Sequence, residues 1–212
     1  EGEQLESVVR AVPSSHEPTE VIPDLPPEVT STPPLSRTFH LMTREGDYAS
    51  HRNYDAVKSR LRAIGKRIQV YVAEEDLARV KPEVLKDIVE TFDSRIFPQA
   101  AATFGLARDV DADGRFTVLL SSWLARMGRG EHAVDGFVRV ADLDSNYNSP
   151  FGNQCDMMYL STELQAGPHL RTVIAHEYTH SVTFSQKSLG AAAEHNETNG
   201  FRVEEEGWLD EA

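Results

Sequence analysis

Apolar and polar residues along this chain alternate with two different periods, and each period predicts an element. Residues 67–73 (RIQVYVA) place Ile68 and Val70, with Tyr71 or Val72, toward a core and are rich in β-branched side chains, which predicts a strand. From Pro82 onward, Val84, Leu85, Ile88, Val89, Phe92, Ile96 and Phe97 form one apolar stripe at helical spacing. This predicts a long helix that starts at Pro82, runs to about Phe104, is kinked or broken near Pro98 and ends at Gly105. Residues 55–64 (DAVKSRLRAI) place Val57, Leu61 and Ile64 at helical spacing and predict a shorter, earlier helix. Three short apolar runs, 116–120 (FTVLL), 136–140 (GFVRV) and 156–160 (DMMYL), are separated by polar, glycine-containing loops and predict strands of one sheet. Gly167 and Pro168 then lead into residues 170–186, a proline-free stretch that predicts a helix, with Pro168 suited to its first turn.

Beyond Lys187 the chain is rich in Ala, Asn, Glu and Gly, until residues 208–212 (WLDEA) open another apolar-patterned segment. At the other end, residues 1–36 hold seven of the eleven prolines, interleaved with Glu, Ser and Thr. Such a segment buries too little apolar surface to offset the entropy of ordering it. We expect residues 1–36 to be a linker or propeptide remnant, either disordered or extended along the domain, followed by one folded domain over 37–212. There is no internal repeat.

Composition narrows the chemistry. An apolar content of 40% in 212 residues supports a substantial core. The net charge of −13, from 34 acidic and 21 basic residues, opposes binding to phosphate backbones and anionic surfaces, so nucleic acid is not expected as a partner. No run approaches the roughly 18 apolar residues of a membrane span. With Cys155 as the sole cysteine there is neither an intrachain disulfide nor a cysteine-rich metal module, so any metal must use His and carboxylates. Cys155 itself is expected to be a small buried hydrophobe.

His176, Glu177, Tyr178, Thr179 and His180 form an HExxH pattern inside the predicted 170–186 helix. On a helix, residues four apart share a face, so the two imidazoles can meet one zinc ion. Three protein ligands would leave a position open for water, and Glu177 is placed to take that water's proton as general base and pass it to the leaving amine. The expected activity is hydrolysis of peptide bonds. Tyr178 and Thr179 are expected to pack rather than react. The third ligand should lie downstream, where His195, Glu197, Glu204, Glu205, Glu206, Asp210 and Glu211 are candidates and a carboxylate is preferred. A further histidine at HExxHxxGxxH spacing is absent.

The segment 208–212 (WLDEA) resembles the W-L-[ND]-E-[GA] segment that supplies the glutamate ligand of gluzincins, the HExxH peptidases with a glutamate third ligand. The resemblance implies Glu211 as the third zinc ligand. From about Ile68 to Ala212 the chain resembles the hyicolysin-type neutral metallopeptidases of bacteria. The pieces that carry this are RIQVYV, the helix ending at Phe104 and Gly105, the Asp-rich loop 109–114, FTVLL, DMMYL and AHEYTHSVTFS, in that order. It implies an α+β, zincin-like (thermolysin-like) domain that is incomplete at its C-terminal side, with the HExxH helix beneath an edge strand that binds extended peptide. It further implies a secreted or envelope-associated zinc endopeptidase acting on protein or peptide. One departure is the 30 residues between His180 and Glu211, longer than in many gluzincins, so that 186–207 must loop out. Another is the end at Ala212, beyond which the rest of the cleft would lie. No tyrosine follows Tyr178, so an oxyanion-stabilising group is either His195 or in sequence not present.

Two rival readings differ in class. An aminopeptidase of the same clan is disfavoured because residues 151–160 (FGNQCDMMYL) lack the GxMEN pattern that holds a free amine. A non-catalytic, zinc-stabilised binding or adhesion module has no use for the base Glu177. A second metal is conceivable at Asp109, Asp111 and Asp113, which with Gly114 (DVDADG) have the spacing of the start of a calcium loop. An ordinary Asp-Gly turn before a strand explains the same residues. His132, near Arg126 and Arg129 in a glycine-containing loop, is expected at the surface.

Overall fold

A computed structural model describes residues 25–26, 29, 32–44, 46–124 and 134–194, with side chains as far as Lys187. Six strands make one curled mixed sheet: β1 (Ser36–Met42), β2 (Tyr54–Ile64), β3 (Ile68–Ala73), β4 (Phe116–Ser121), β5 (Gly136–Phe137) and β6 (Met157–Ser161). Their spatial order is β1-β2-β3-β4-β6-β5. The first three strands form antiparallel hairpins, β3, β4 and β6 run parallel, and β5 returns antiparallel on the edge beside β6.

The parallel centre explains the near-continuous apolar runs seen in sequence, since such strands are covered on both faces. Ile68, Val70 and Val72 of β3, Phe116, Val118 and Leu120 of β4, and Met158 and Leu160 of β6 face the helices. Tyr71, Leu119, Met157 and Tyr159 face the opposite side, where the curling hairpin brings Phe39, Leu41 and Val57 over them. Tyr71 and Val72 are thus both buried, one on each face. Cys155 is fully buried in this second cluster, and burial pushes its thiol pKa up.

The crossover from β3 to β4 is the predicted long helix. It comprises α1 (Pro82–Thr91), a π-turn (Phe92–Ile96) and α2 (Phe97–Thr103). Pro98 lacks an N–H and its ring collides with the carbonyl of a regular preceding turn, and the π-turn directly before it accommodates both effects. Gly105, at φ +100°, closes the helix with its N–H on the Ala100 carbonyl at 2.8 Å.

Two expectations require correction. Residues 55–64 are strand, not helix: Val57 and Ser59 are buried, Leu61 and Ala63 half-buried, and Lys58, Arg60, Arg62 and Ile64 exposed. The true period is two, and it was hidden because Ser59 and Ala63 stand at inward positions that larger apolar residues would have marked. The run 136–140 is strand only at Gly136–Phe137, and Val140–Leu143 turns into a short helix, α3. β1 had no counterpart among the expected elements.

The described residues before β1 make contacts with the domain. Arg115 Nη2 donates to the Val29 carbonyl at 2.8 Å, Arg67 donates to the Pro26 carbonyl, and Tyr71 Oη donates to the Pro34 carbonyl at 2.9 Å. No described helix is long and apolar enough to cross a membrane.

Candidate metal centre

The last helix, α4 (Pro168–Glu194), carries the HExxH residues. Its inner face is set by Leu170, Ile174, Tyr178 and Val182, all buried against the sheet and α1. Tyr178 is the main anchor. Its ring meets Phe92 edge-on at 4.9 Å and Phe116 edge-on at 5.1 Å, and burial drives its hydroxyl pKa upward. Its role is packing, as expected. Asp87 of α1 fixes the start of α4, accepting hydrogen bonds from Gly167 N at 2.7 Å and Arg171 Nε at 2.8 Å. At the far end, Gln186 Nε2 donates to the Phe104 carbonyl at the end of the crossover helix.

With the inner face buried, the helical rotation turns His176 and His180 outward. Their Nε2 atoms lie 3.0 Å apart, with the rings nearly perpendicular at 88°. Two nitrogens on one tetrahedral zinc at about 2.0–2.1 Å each are roughly 3.3 Å apart, so the pair suits a shared ion. His180 also stacks on Phe184, with centroids 5.9 Å apart. Glu177, on the same turn, is only 4% exposed and has its Cγ against Gly136 of the edge strand. The absence of a side chain at Gly136 lets β5 approach the helix at this point. Two imidazole nitrogens and one sheltered carboxylate therefore share a single turn. Glu211, the other downstream candidates from His195 onward, and His132 lie outside the described residues.

The Asp-rich loop presents a second acidic group. Asp109 and Asp111 come together with Asp156, a residue 45 positions from Asp111 that sequence reasoning placed only as the start of a strand; their carboxylate oxygens lie within 4.8 Å of one another. Asp113 stands apart, accepting from Gln69 Nε2 at 2.6 Å and Arg115 N at 2.8 Å. Asp156 is 4% exposed, and its burial, with the neighbouring Asp111 and Asp109 charges, holds its carboxyl well above the usual range. Asp111 pairs through Oδ2 with Arg37 at 2.8 Å, while its Oδ1 is buried without a hydrogen-bond partner. Oxygen ligands of this kind suit a hard divalent cation. No signal in the sequence links Asp156 to the loop, because the contact is made by the parallel pairing of β4 with β6.

No protein-family model matches the chain. It is similar to the neutral metalloprotease ShpI of Staphylococcus hyicus, with 29% identity over 162 residues. The match covers 73% of this chain and 34% of the relative, so the chain spans about a third of that protein's length. At this level the likeness is consistent with a metalloprotease family and carries no more than that.

Proposed function

We propose that this chain carries the catalytic region of a zinc-dependent endopeptidase with a zincin-like fold of gluzincin type. His176 and His180 are two zinc ligands, and Glu211 is the third on the strength of the sequence resemblance. The observation that carries the reading is the 3.0 Å approach of the two Nε2 atoms beside the sheltered carboxylate of Glu177. When bound, zinc acidifies a water molecule and polarises the substrate carbonyl. Glu177 accepts the water proton at its carboxylate and delivers it to the departing amine nitrogen. The edge strand β5 has β6 as its sole partner among the described strands, so its outer side offers backbone groups to an extended peptide.

An endopeptidase is preferred to an aminopeptidase because 151–160 lacks a pattern for holding a free amine, and to a metal-stapled binding module because such a module needs no base beside the metal. Following the resemblance, the enzyme acts outside the cytoplasm, in the medium or the envelope. The acidic triad is read as a structural cation site, calcium by preference, now on Asp109, Asp111 and Asp156.

The test is metal content and casein cleavage of three proteins. The unmodified chain should bind one zinc and lose activity to a strong chelator. His176→Ala should lose both metal and activity. Glu177→Gln should keep its zinc and lose at least about a hundredfold in rate. A Glu177→Gln variant as metal-free as His176→Ala would make Glu177 a ligand and overturn the mechanism.

A further inference from the structure

Beside the two histidines, α4 and the crossover helix flank a shallow, open groove of about 580 Å³. One wall runs along α4 from Arg171 through Ala175 and His176 to His180, and the other is formed by Arg95 and Ile96 of the π-turn with Gln99 of α2. Ile96 is mostly buried and gives the groove an apolar floor, together with Ala175. The threonine hydroxyls of the lining bond elsewhere: Thr172 and Thr179 each donate to a carbonyl one turn back on their own helix. Arg171 is engaged with Asp87. The polar heads open to a ligand are therefore Arg95 and Gln99, four residues apart on one face of the crossover helix and both exposed. No carboxylate lines this groove among the described residues, although the chain as a whole carries a net charge of −13.

We propose that this groove takes an acidic side chain of the peptide substrate close to the scissile bond, with Arg95 as the residue that selects it. The inference rests on the peptidase reading. The methylenes of a glutamate would lie over Ile96 and Ala175. Its carboxylate would accept paired hydrogen bonds from the Arg95 guanidinium, whose planar fork matches two carboxylate oxygens, and a further one from Gln99 Nε2. Arg171, neutralised in part by Asp87, adds a weaker positive field. The histidines form one end of the groove. The α4 wall from Arg171 to His180 is about 13 Å long at 1.5 Å rise per residue, which an extended peptide covers in roughly four residues. The selected side chain thus lies within about four positions of the cleaved bond.

The experiment uses the full chain loaded with zinc and a set of quenched fluorescent peptides. Glu or Gln is placed in turn at each of the four positions on either side of the cleaved bond. We expect a Glu-over-Gln preference in kcat/KM of about tenfold at one position, equivalent to about 1.4 kcal/mol. Arg95→Ala should bring that ratio near unity without loss of bound zinc, and Arg95→Glu should favour Lys at the same position. Equal ratios throughout, or a ratio indifferent to Arg95→Ala while cleavage persists, would overturn the proposal and mean that the groove is covered by later residues of the chain itself. Zinc-loaded protein that cleaves none of the peptides would instead overturn the peptidase reading, and this assignment with it.

Discussion

Gly136 of the edge strand sits directly against Glu177 of the HExxH helix: a Cβ at Gly136 would lie 3.0 Å from Glu177 Cγ, 2.9 Å from Val173 Cγ1 and 3.1 Å from Leu160 Cδ2. The Val173 contact is closer than Cβ atoms pack and the other two are tighter than most, so a side chain there must displace Val173 and press on Glu177 by a few tenths of an ångström. Gly136→Ala should therefore lower kcat on the order of ten- to a hundredfold, the effect of a small misplacement of a reacting group, with zinc content retained. Kinetics and metal analysis of the purified variant check this. An unimpaired kcat would mean that Glu177 does not depend on the close approach of β5.

On the proposed function, the third zinc ligand is Glu211 and not the acidic run Glu204–Glu206. A glycine directly after that run predicts a turn, and a loop holds a metal less firmly than a regular element. Glu211→Ala should lose zinc, whereas Glu204→Ala, Glu205→Ala and Glu206→Ala should each retain it. Normal zinc in the first and loss in any of the others would reverse the assignment.

Asp87 links α1 to the beginning of the HExxH helix, and its pKa gives the link a pH signature. Burial alone would raise it, but hydrogen bonds from Arg171, Gly167 N and Thr91 outweigh burial and hold the carboxyl below the usual range. A depressed folded-state pKa contributes stability that is present above the unfolded value of about 3.9 and is lost as pH falls through the folded value. Asp87→Asn should be less stable at neutral pH by about 1–2 kcal/mol, since a charged hydrogen bond is lost next to a partly exposed guanidinium. Denaturant titrations from pH 7 down to about pH 2 should show the two proteins converging in the acid range. Parallel curves would remove Asp87 from the account of acid stability.

If the Asp109, Asp111 and Asp156 group holds calcium, the ion stabilises the fold by mass action. A hundredfold excess over Kd corresponds to about 2.7 kcal/mol and a clear rise in melting temperature. Asp156→Asn and Asp111→Ala should abolish the rise, and Asp113→Ala should leave it in place, because Asp113 is turned toward Gln69 and Arg115. A melting temperature indifferent to calcium in the unmodified chain would make the loop an ordinary turn.

The elements legible from sequence were those whose pattern arises locally. The crossover helix reads from its own stripe of Val84, Leu85, Ile88 and Phe92, its interruption from Pro98, and its end from Gly105. The HExxH turn is likewise local, because helical rotation alone brings the Nε2 atoms of His176 and His180 together once the Tyr178 face is buried. β2 has no legible strand pattern because its inward positions include Ser59 and Ala63, whose burial comes from neighbouring strands and not from their own hydrophobicity.

By itself, then, the sequence determined the spacing of the motif, the long helices and the apolar central strands, since each is written in residues a few positions apart. Tertiary structure alone decided what stands around that chemistry. The pairing of β5 with β6 sets Gly136 over Glu177, the parallel pairing of β4 with β6 draws Asp156 to Asp109 and Asp111, and the packing of α4 on the crossover helix lines up Arg95 with the histidines. These juxtapositions join residues tens of positions apart. No local period records them, because they exist only once the sheet register and the helix docking have been fixed by burial of the shared core.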